Sequence, residues 1–313
     1  MAFEVTVTGG THDEVIVLHE YFTDTIAEVF TFGALLNQFS VEKNGEKKNV
    51  IMGFANVEDA KENITAAFQS AKLSPFVCRM KDGVYQFNGE SYKINKFYLQ
   101  TEAIHGLLYD APFAVTEKGA TEEYAFATLQ YVYDKKNEGF PFTFKMEVTY
   151  RLETQSRLTV ITKVTNTDNR PFPLSDGWHP YFHLGETVDT LELKLNSKEM
   201  AVFDENLLPT GKLISFTEFK TFKTLGSVSL DNCFVLDGFD TTACSIKDVQ
   251  TGLQLDIIPD ASYPYLQIYT PADRKSIAVE NLSSVPDAFN NGIGLIVLQP
   301  EESKTFTTSY CLC

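Results

Sequence analysis

The sequence predicts an all-β protein, a large antiparallel β-sandwich. Three observations carry this: apolar residues recur with a period of two along much of the chain, helical periodicity is confined to one stretch, and turn dipeptides separate many of the alternating runs. The clearest run is Phe142, Phe144, Met146, Val148, Tyr150 and Leu152, with Thr143, Lys145, Glu147, Thr149 and Arg151 between them. Successive side chains of a strand point to opposite faces, so this pattern describes a strand with one face on a core.

In chain order, strands are expected at residues 3–8 and 14–19. The helical signal follows at residues 56–72, NVEDAKENITAAFQSAK, where Val57, Ala60, Ile64, Ala67 and Phe68 approximate a spacing of three and four and acidic residues come early. Asn88-Gly89, between GVYQF and ESYKI, marks a hairpin, because a type I′ turn needs positive φ at both central residues. Asn44-Gly45, Asp82-Gly83 and Asp237-Gly238 are weaker turn signals. Strands follow at 126–133, 142–152 and 157–164, the last two joined across a short polar link as a hairpin. Further strands are expected at 191–195, 253–258, 266–269, 276–280, 295–298 and 305–310. One helix does not make an α/β protein, and no Pro/Ser-rich linker, fixed-period repeat or low-complexity tract interrupts the chain. Residues 1–313 are therefore expected to form a single domain of stacked sheets, with a ligand in the concavity.

Composition narrows the partners. Forty-three per cent of residues are hydrophobic, with 25 Phe and 14 Tyr, enough for an extended core and for rings at a ligand surface. The net charge of −16, from 42 acidic and 26 basic residues, repels nucleic acid and anionic membranes and disfavours phosphorylated substrates. The opening MAFEVTVTGG has neither a cationic region nor a continuous apolar one, and no run approaches 18 apolar residues, so a cytoplasmic protein without a membrane partner is expected. Cys78, Cys233, Cys244, Cys311 and Cys313 are an odd, scattered set, which fits a reducing compartment better than a disulfide framework. Cys311-Leu-Cys313 lacks a CxxC partner or a nearby histidine, so an inert pair and no metal are expected there.

There is no GxGxxG after a strand, no Walker loop, no HExxH and no GxSxG elbow. What remains is a small polar set in apolar strands. In DGWHPYFHL, His179 lies between Trp178, the chain's single Trp, and Pro180, which forces extended backbone on the residue before it. By residue type alone, a hydrogen-bonded core histidine and a positioned proton donor both stay open. His105, in AIHGLLYDAPF, precedes a glycine that lets backbone or ligand approach closely. Glu280 closes SIAVE where a strand runs into the turn-rich NLSSVPDAFNNG, a junction that suits either an active-site carboxylate or an exposed rim residue.

The order of these pieces resembles the aldose 1-epimerase (galactose mutarotase) family. CRMKDGVYQFNGESYKI and AIHGLLYDAPF are similar to that family's arginine, G-x-Y/F-x-L-x-G-x-x-Y and His-Gly series, which gives Arg79 and His105. HPYFHL resembles its H-x-Y-F-N-L motif, and DENLLPTGKL its L-x-P-T-G stretch. DNCFVL resembles its D-x-x-F segment, and LQIYTPADRKSIAVENLSSVPDAFN its Y-T pair and its glutamate followed by P-D-A-x-N. The matches run from about Arg79 to Tyr310.

The resemblance implies a galactose mutarotase-like supersandwich and an isomerase acting on a free aldohexose. It implies Glu280 as catalytic base, His179 as catalytic acid, and Arg79, His105 and Asp231 as sugar-binding residues. A ring at Trp178 or Tyr181 would offer an apolar face to the sugar. No cofactor or metal is implied; the partner is a small sugar, with the protein a monomer or homodimer. The sequence departs from the pattern at Cys78, Asn281 and His183, expected near sugar contacts, and at Glu301. A hexose-6-phosphate mutarotase, using Arg79, Lys81 or Lys96 at the rim, and a non-catalytic sugar-binding protein are the alternatives. Proton transfer by the pair predicts a bell-shaped pH profile, with Glu280 ionised and His179 protonated at the start.

Overall fold

The computed structural model describes residues 2–313, and strands dominate it. The run that announced the fold forms the strand Thr143–Glu153, whose burial alternates along its whole length. Phe144, Met146 and Val148 are completely buried, each contributing about 1.5–3 kcal/mol by leaving water. The strand pairs with Arg157–Asn166 in the expected hairpin, Leu152 opposite Leu158 and Glu153 opposite Arg157. These belong to a nine-stranded sheet ordered Ala114–Ala120, Tyr124–Asp134, Thr143–Glu153, Arg157–Asn166, Ser303–Leu312, Gln254–Pro259, Cys244–Asp248, Leu191–Leu195 and Lys223–Thr224. A five-stranded meander, from Phe3–Thr8 to Glu46–Asn49, packs its first two strands against this sheet.

The eight-stranded sheet positions the site. Along it lie Pro209–Ser215, Ser197–Phe203, Asp231–Leu236, Tyr265–Tyr269, Ile277–Leu282, Gly177–His179 and Ala71–Leu73, with Tyr181–Phe182 also pairing with Ile277–Leu282. Its back lies on the nine-stranded sheet: the Phe182 and Tyr310 ring centroids are 5.6 Å apart, and Asn281 Nδ2 donates to the Tyr310 hydroxyl at 3.2 Å. Its front opens to a cavity.

Two local expectations meet the structure differently. Asn88-Gly89 turns the strands Val84–Phe87 and Glu90–Lys93 with φ of 51° and 83°, as a type I′ turn requires. The helix covers only Val57–Ala67, short of the expected 56–72. Asn56 caps its start by accepting from the Asp59 amide, and Phe68 ends it in the left-handed region at φ 56°. Ala71–Leu73 is then taken as a strand by Gly177–His179, a tertiary pairing that outweighs local propensity. None of the described helices is long and apolar enough to cross a membrane.

Candidate active site

Sheet register brings His179 and Glu280 together. Gly177 lies opposite Leu282 and Trp178 opposite Asn281, while beyond Pro180, Tyr181 lies opposite Ala278, so the same register sets His179 against Glu280. On the other side of Glu280 stands Gln267, itself opposite Cys233. One row across four strands therefore reads Cys233, Gln267, Glu280 and His179. Two residues along from His179, Gly177 permits the close approach of the two strands: a Cβ there would lie 2.8 Å from the Asn281 carbonyl oxygen. His179 Nε2 is 3.3 Å from Glu280 Oε1, with both side chains buried. Glu280 lies inside its strand and is 2% exposed, which replaces the expected junction at a rim.

His105 arrives from a loop. Its own φ is 63°, its amide donates to the Cys78 carbonyl at 2.9 Å, and Gly106 at φ 75° presses on Ser74, where a Cβ would come within 2.4 Å of the carbonyl oxygen. The His105 ring meets His179 edge-on at 4.8 Å between centroids and is backed by Phe68, the residue that ends the helix, at 4.6 Å. Arg79 comes from a two-residue strand pairing with Glu102–Ile104. Gln267 Nε2 donates to Asp231 Oδ1 at 2.7 Å.

All five residues singled out by sequence, Arg79, His105, His179, Asp231 and Glu280, line one cavity of about 470 Å³. Cys78, Gln267, Tyr181 and Tyr269 line it too. Sequence reasoning missed Gln267; the signal available was a single polar residue in the apolar run LQIY. Its Oε1 is buried without a partner, as are His105 Nδ1 and His179 Nδ1. Such groups carry a desolvation cost that a hydroxylated ligand would relieve. Among the described residues, Arg79 is the only Lys or Arg in the lining, against the carboxylates of Asp231, Asp273 and Glu280.

Several expectations are corrected. Trp178 points away from the cavity because it neighbours His179 on a strand; its ring lies over Tyr150 and under the Lys72 ammonium, leaving Tyr181 as the ring beside His179, stacked at 5.0 Å. Asn281 likewise faces the back, accepting from Thr308 at 3.1 Å. His183 is outside the cavity, its Nε2 3.1 Å from the Ile51 carbonyl oxygen. Of the departures expected near the sugar, only Cys78 is there. Lys81 and Lys96 are also outside the lining; Lys96 pairs with Asp110.

Burial sets the protonation states. It raises the Glu280 carboxyl well above its ordinary range, helped by the Asp231 charge and partly opposed by a hydrogen bond from Cys78. It lowers His179 to about 4. It also lowers His105, with His179 and Arg79 adding to the effect. Asp231 is raised by burial and pulled back by Gln267 and Arg79. In the singly protonated pair both shifts favour the proton on Glu280. The donor atoms of His105, His179 and Glu280 lie within 4.8 Å of one another, and histidine and carboxylate donors suit a divalent transition metal as well as proton transfer.

A large antiparallel β-sandwich with a buried carboxylate–imidazole pair lining a cavity of mixed polar and apolar residues defines the class of scaffold. The family model for aldose 1-epimerase matches residues 17–311. The chain belongs to the aldose 1-epimerase family, a family of isomerases. An aldose 1-epimerase of Streptococcus thermophilus is 25% identical over 91% of this chain and 90% of its own length. An uncharacterised Escherichia coli protein, YihR, is 29% identical over 76% and 77%. A galactose mutarotase-like protein of Clostridium acetobutylicum superposes with a TM-score of 0.86 at 19% identity, covering 100% of this chain and 99% of that one.

Proposed function

We propose that the protein is a mutarotase that interconverts the α and β anomers of a free aldohexose. The observation that carries this is the Glu280–His179 pair, 3.3 Å apart and lining a cavity in which His105 Nδ1 and Gln267 Oε1 are buried without a hydrogen-bond partner. Mutarotation removes the proton from the C1 hydroxyl and protonates the ring oxygen. The ring C1–O bond opens to the free aldehyde, which rotates about C1–C2 and recloses from its other face. Glu280 is the base at the C1 hydroxyl and His179 the acid at the ring oxygen, their roles reversing on closure. A carboxylate made more basic by burial is better suited to take a hydroxyl proton, and a less basic imidazole to give one up.

The pair titrates as a unit: the singly protonated form holds its proton on either residue, and only the fraction with His179 protonated and Glu280 ionised reacts. The rate profile stays bell-shaped with the proton resting on Glu280. Arg79, His105, Asp231 and Gln267 bind the ring hydroxyls, while Tyr181 presents an aromatic face. The lone Arg79 among three carboxylates favours a neutral sugar over a hexose 6-phosphate. The proton transfers themselves use no metal, so a chelator should leave the rate unchanged; loss of activity would move the chemistry to an ion on His105, His179 and Glu280.

Residues 1–313 act on this reading as one cytoplasmic catalytic domain, as a monomer or homodimer. The test is the decay of optical rotation of fresh α-D-galactose and α-D-glucose, with wild type and Glu280→Gln side by side. Acceleration lost in the variant supports the reading. Acceleration only with hexose 6-phosphates, or sugar binding with no acceleration at all, overturns it.

A further inference from the structure

Resting on that reading, we propose that Cys78 is a positioning residue for the base, its thiol donating to Glu280 Oε2 and fixing both the carboxylate's orientation and its basicity. The Sγ is 3.6 Å from Oε2, while the other carboxylate oxygen faces His179 Nε2 at 3.3 Å, so each oxygen has its own partner. The contact is held by backbone as well as side chain. Cys78 sits in the left-handed region at φ 48°, uncommon for a residue with a Cβ, and its carbonyl accepts from the His105 amide at 2.9 Å. The turn that brings the thiol under Glu280 thus also places His105 and, one residue on, Arg79.

Glu280 is faced by His179 from one neighbouring strand, by Asp231 and Cys233 from the strand beyond Gln267, by Tyr181 past Pro180, and by Cys78 from the loop. Arg79, His105, Tyr269 and Asp273 are further charged and titratable groups of the lining. Among these, Cys78 is the side chain whose donor meets the second carboxylate oxygen, Oε2. Burial and the surrounding acidic groups keep the thiol protonated, so it remains a donor and is poorly reactive as a nucleophile. An S–H is a weak donor. It orients the carboxylate while withdrawing less of its basicity than a hydroxyl or amide would.

The experiment is the pH profile of kcat/KM for wild type, Cys78→Ser and Cys78→Ala with the sugar that polarimetry identifies. Serine, the stronger donor, should move the limb governed by Glu280 to lower pH, and alanine should move the same limb to higher pH, each by roughly half a unit. Alanine should also lower kcat by about two- to tenfold with KM nearly unchanged. Limbs that stay in place, or that shift in one direction for both variants, overturn the proposal. The infrared S–H stretching band, isolated by subtracting the Cys78→Ala spectrum, gives a readout independent of turnover. It should lie at the lower frequency of a hydrogen-bonded thiol and move in Glu280→Gln; a free-thiol band unmoved in that variant also overturns it. An inactive wild type with the shifted band would sink the mutarotase reading and leave the thiol–carboxylate contact standing.

Discussion

The two faces of the strand Gly177–His179 give a buried titratable pair different surroundings. On the back, Lys72 is fully buried and paired with Asp176, its ammonium also donating to the Gly177 carbonyl and lying 4.2 Å from the Trp178 ring centroid. Asp176 takes a further hydrogen bond from the Tyr263 hydroxyl at 2.7 Å. Burial pushes both pairs toward their neutral forms, lowering Lys72 to about 8 and His179 to about 4 and raising the Asp176 and Glu280 carboxyls, but on the front Glu280 and His179 line a cavity. A pair enclosed on every side makes each partner costly to remove alone, whereas titratable groups beside a cavity can exchange protons with a ligand. A residue's place in the alternation, more than its chemical type, assigns it to structure or to chemistry.

The sharpest way to break this contrast is to neutralise one group on each face. Glu280→Gln or His179→Ala should cost about 100- to 10,000-fold in kcat, about 3–5.5 kcal/mol in the barrier, with the fold retained by circular dichroism. Lys72→Met should act through stability instead. It strands Asp176 and should lower the unfolding free energy by about 3–5 kcal/mol in urea melts, while Lys72→Met with Asp176→Asn should recover most of that loss. A Lys72→Met protein that stays stable but inactive would erase the distinction between the faces.

Smaller effects sharpen it. Asp231→Asn or Gln267→Ala should chiefly raise KM, by roughly ten- to a hundredfold if each removes a hydrogen bond to a sugar hydroxyl, read from polarimetric progress curves. The stability profile should carry the signature of the front face. Because the folded protein holds a proton on Glu280 above the unfolded carboxyl value, the native state binds more protons there, and its contribution to stability is lost as pH rises toward the raised value. Glu280→Gln should therefore raise Tm more at pH 7 than at pH 5. His179 has the opposite sign: lowered to about 4, it makes stability rise with pH between about 4 and its ordinary value. The smallest effect is expected at His183→Asn, outside the cavity, where kcat and KM should change by less than about twofold.

Much of this was legible in advance because period-two alternation is a local property. The strand Thr143–Glu153 and the Asn88-Gly89 hairpin need only their own residues to be read. The three candidates in DGWHPYFHL, AIHGLLYDAPF and SIAVE were visible as polar residues in apolar surroundings. Gln267 was harder because its meaning depends on Cys233 and Glu280 in adjoining strands. Trp178 was misjudged because a ring beside a candidate catalytic histidine in sequence lies across the sheet from it in space.

The sequence by itself determined the sheet-rich architecture, the family and the inventory of groups able to move protons, since alternation, turn chemistry and residue type are written in short segments. Only the tertiary structure decided which of those groups meet. Register across Ile277–Leu282 and Gly177–His179 joins residues about a hundred positions apart, and a one-residue slip of Gly177–His179 would have turned Trp178 into the cavity and His179 to the back, away from Glu280.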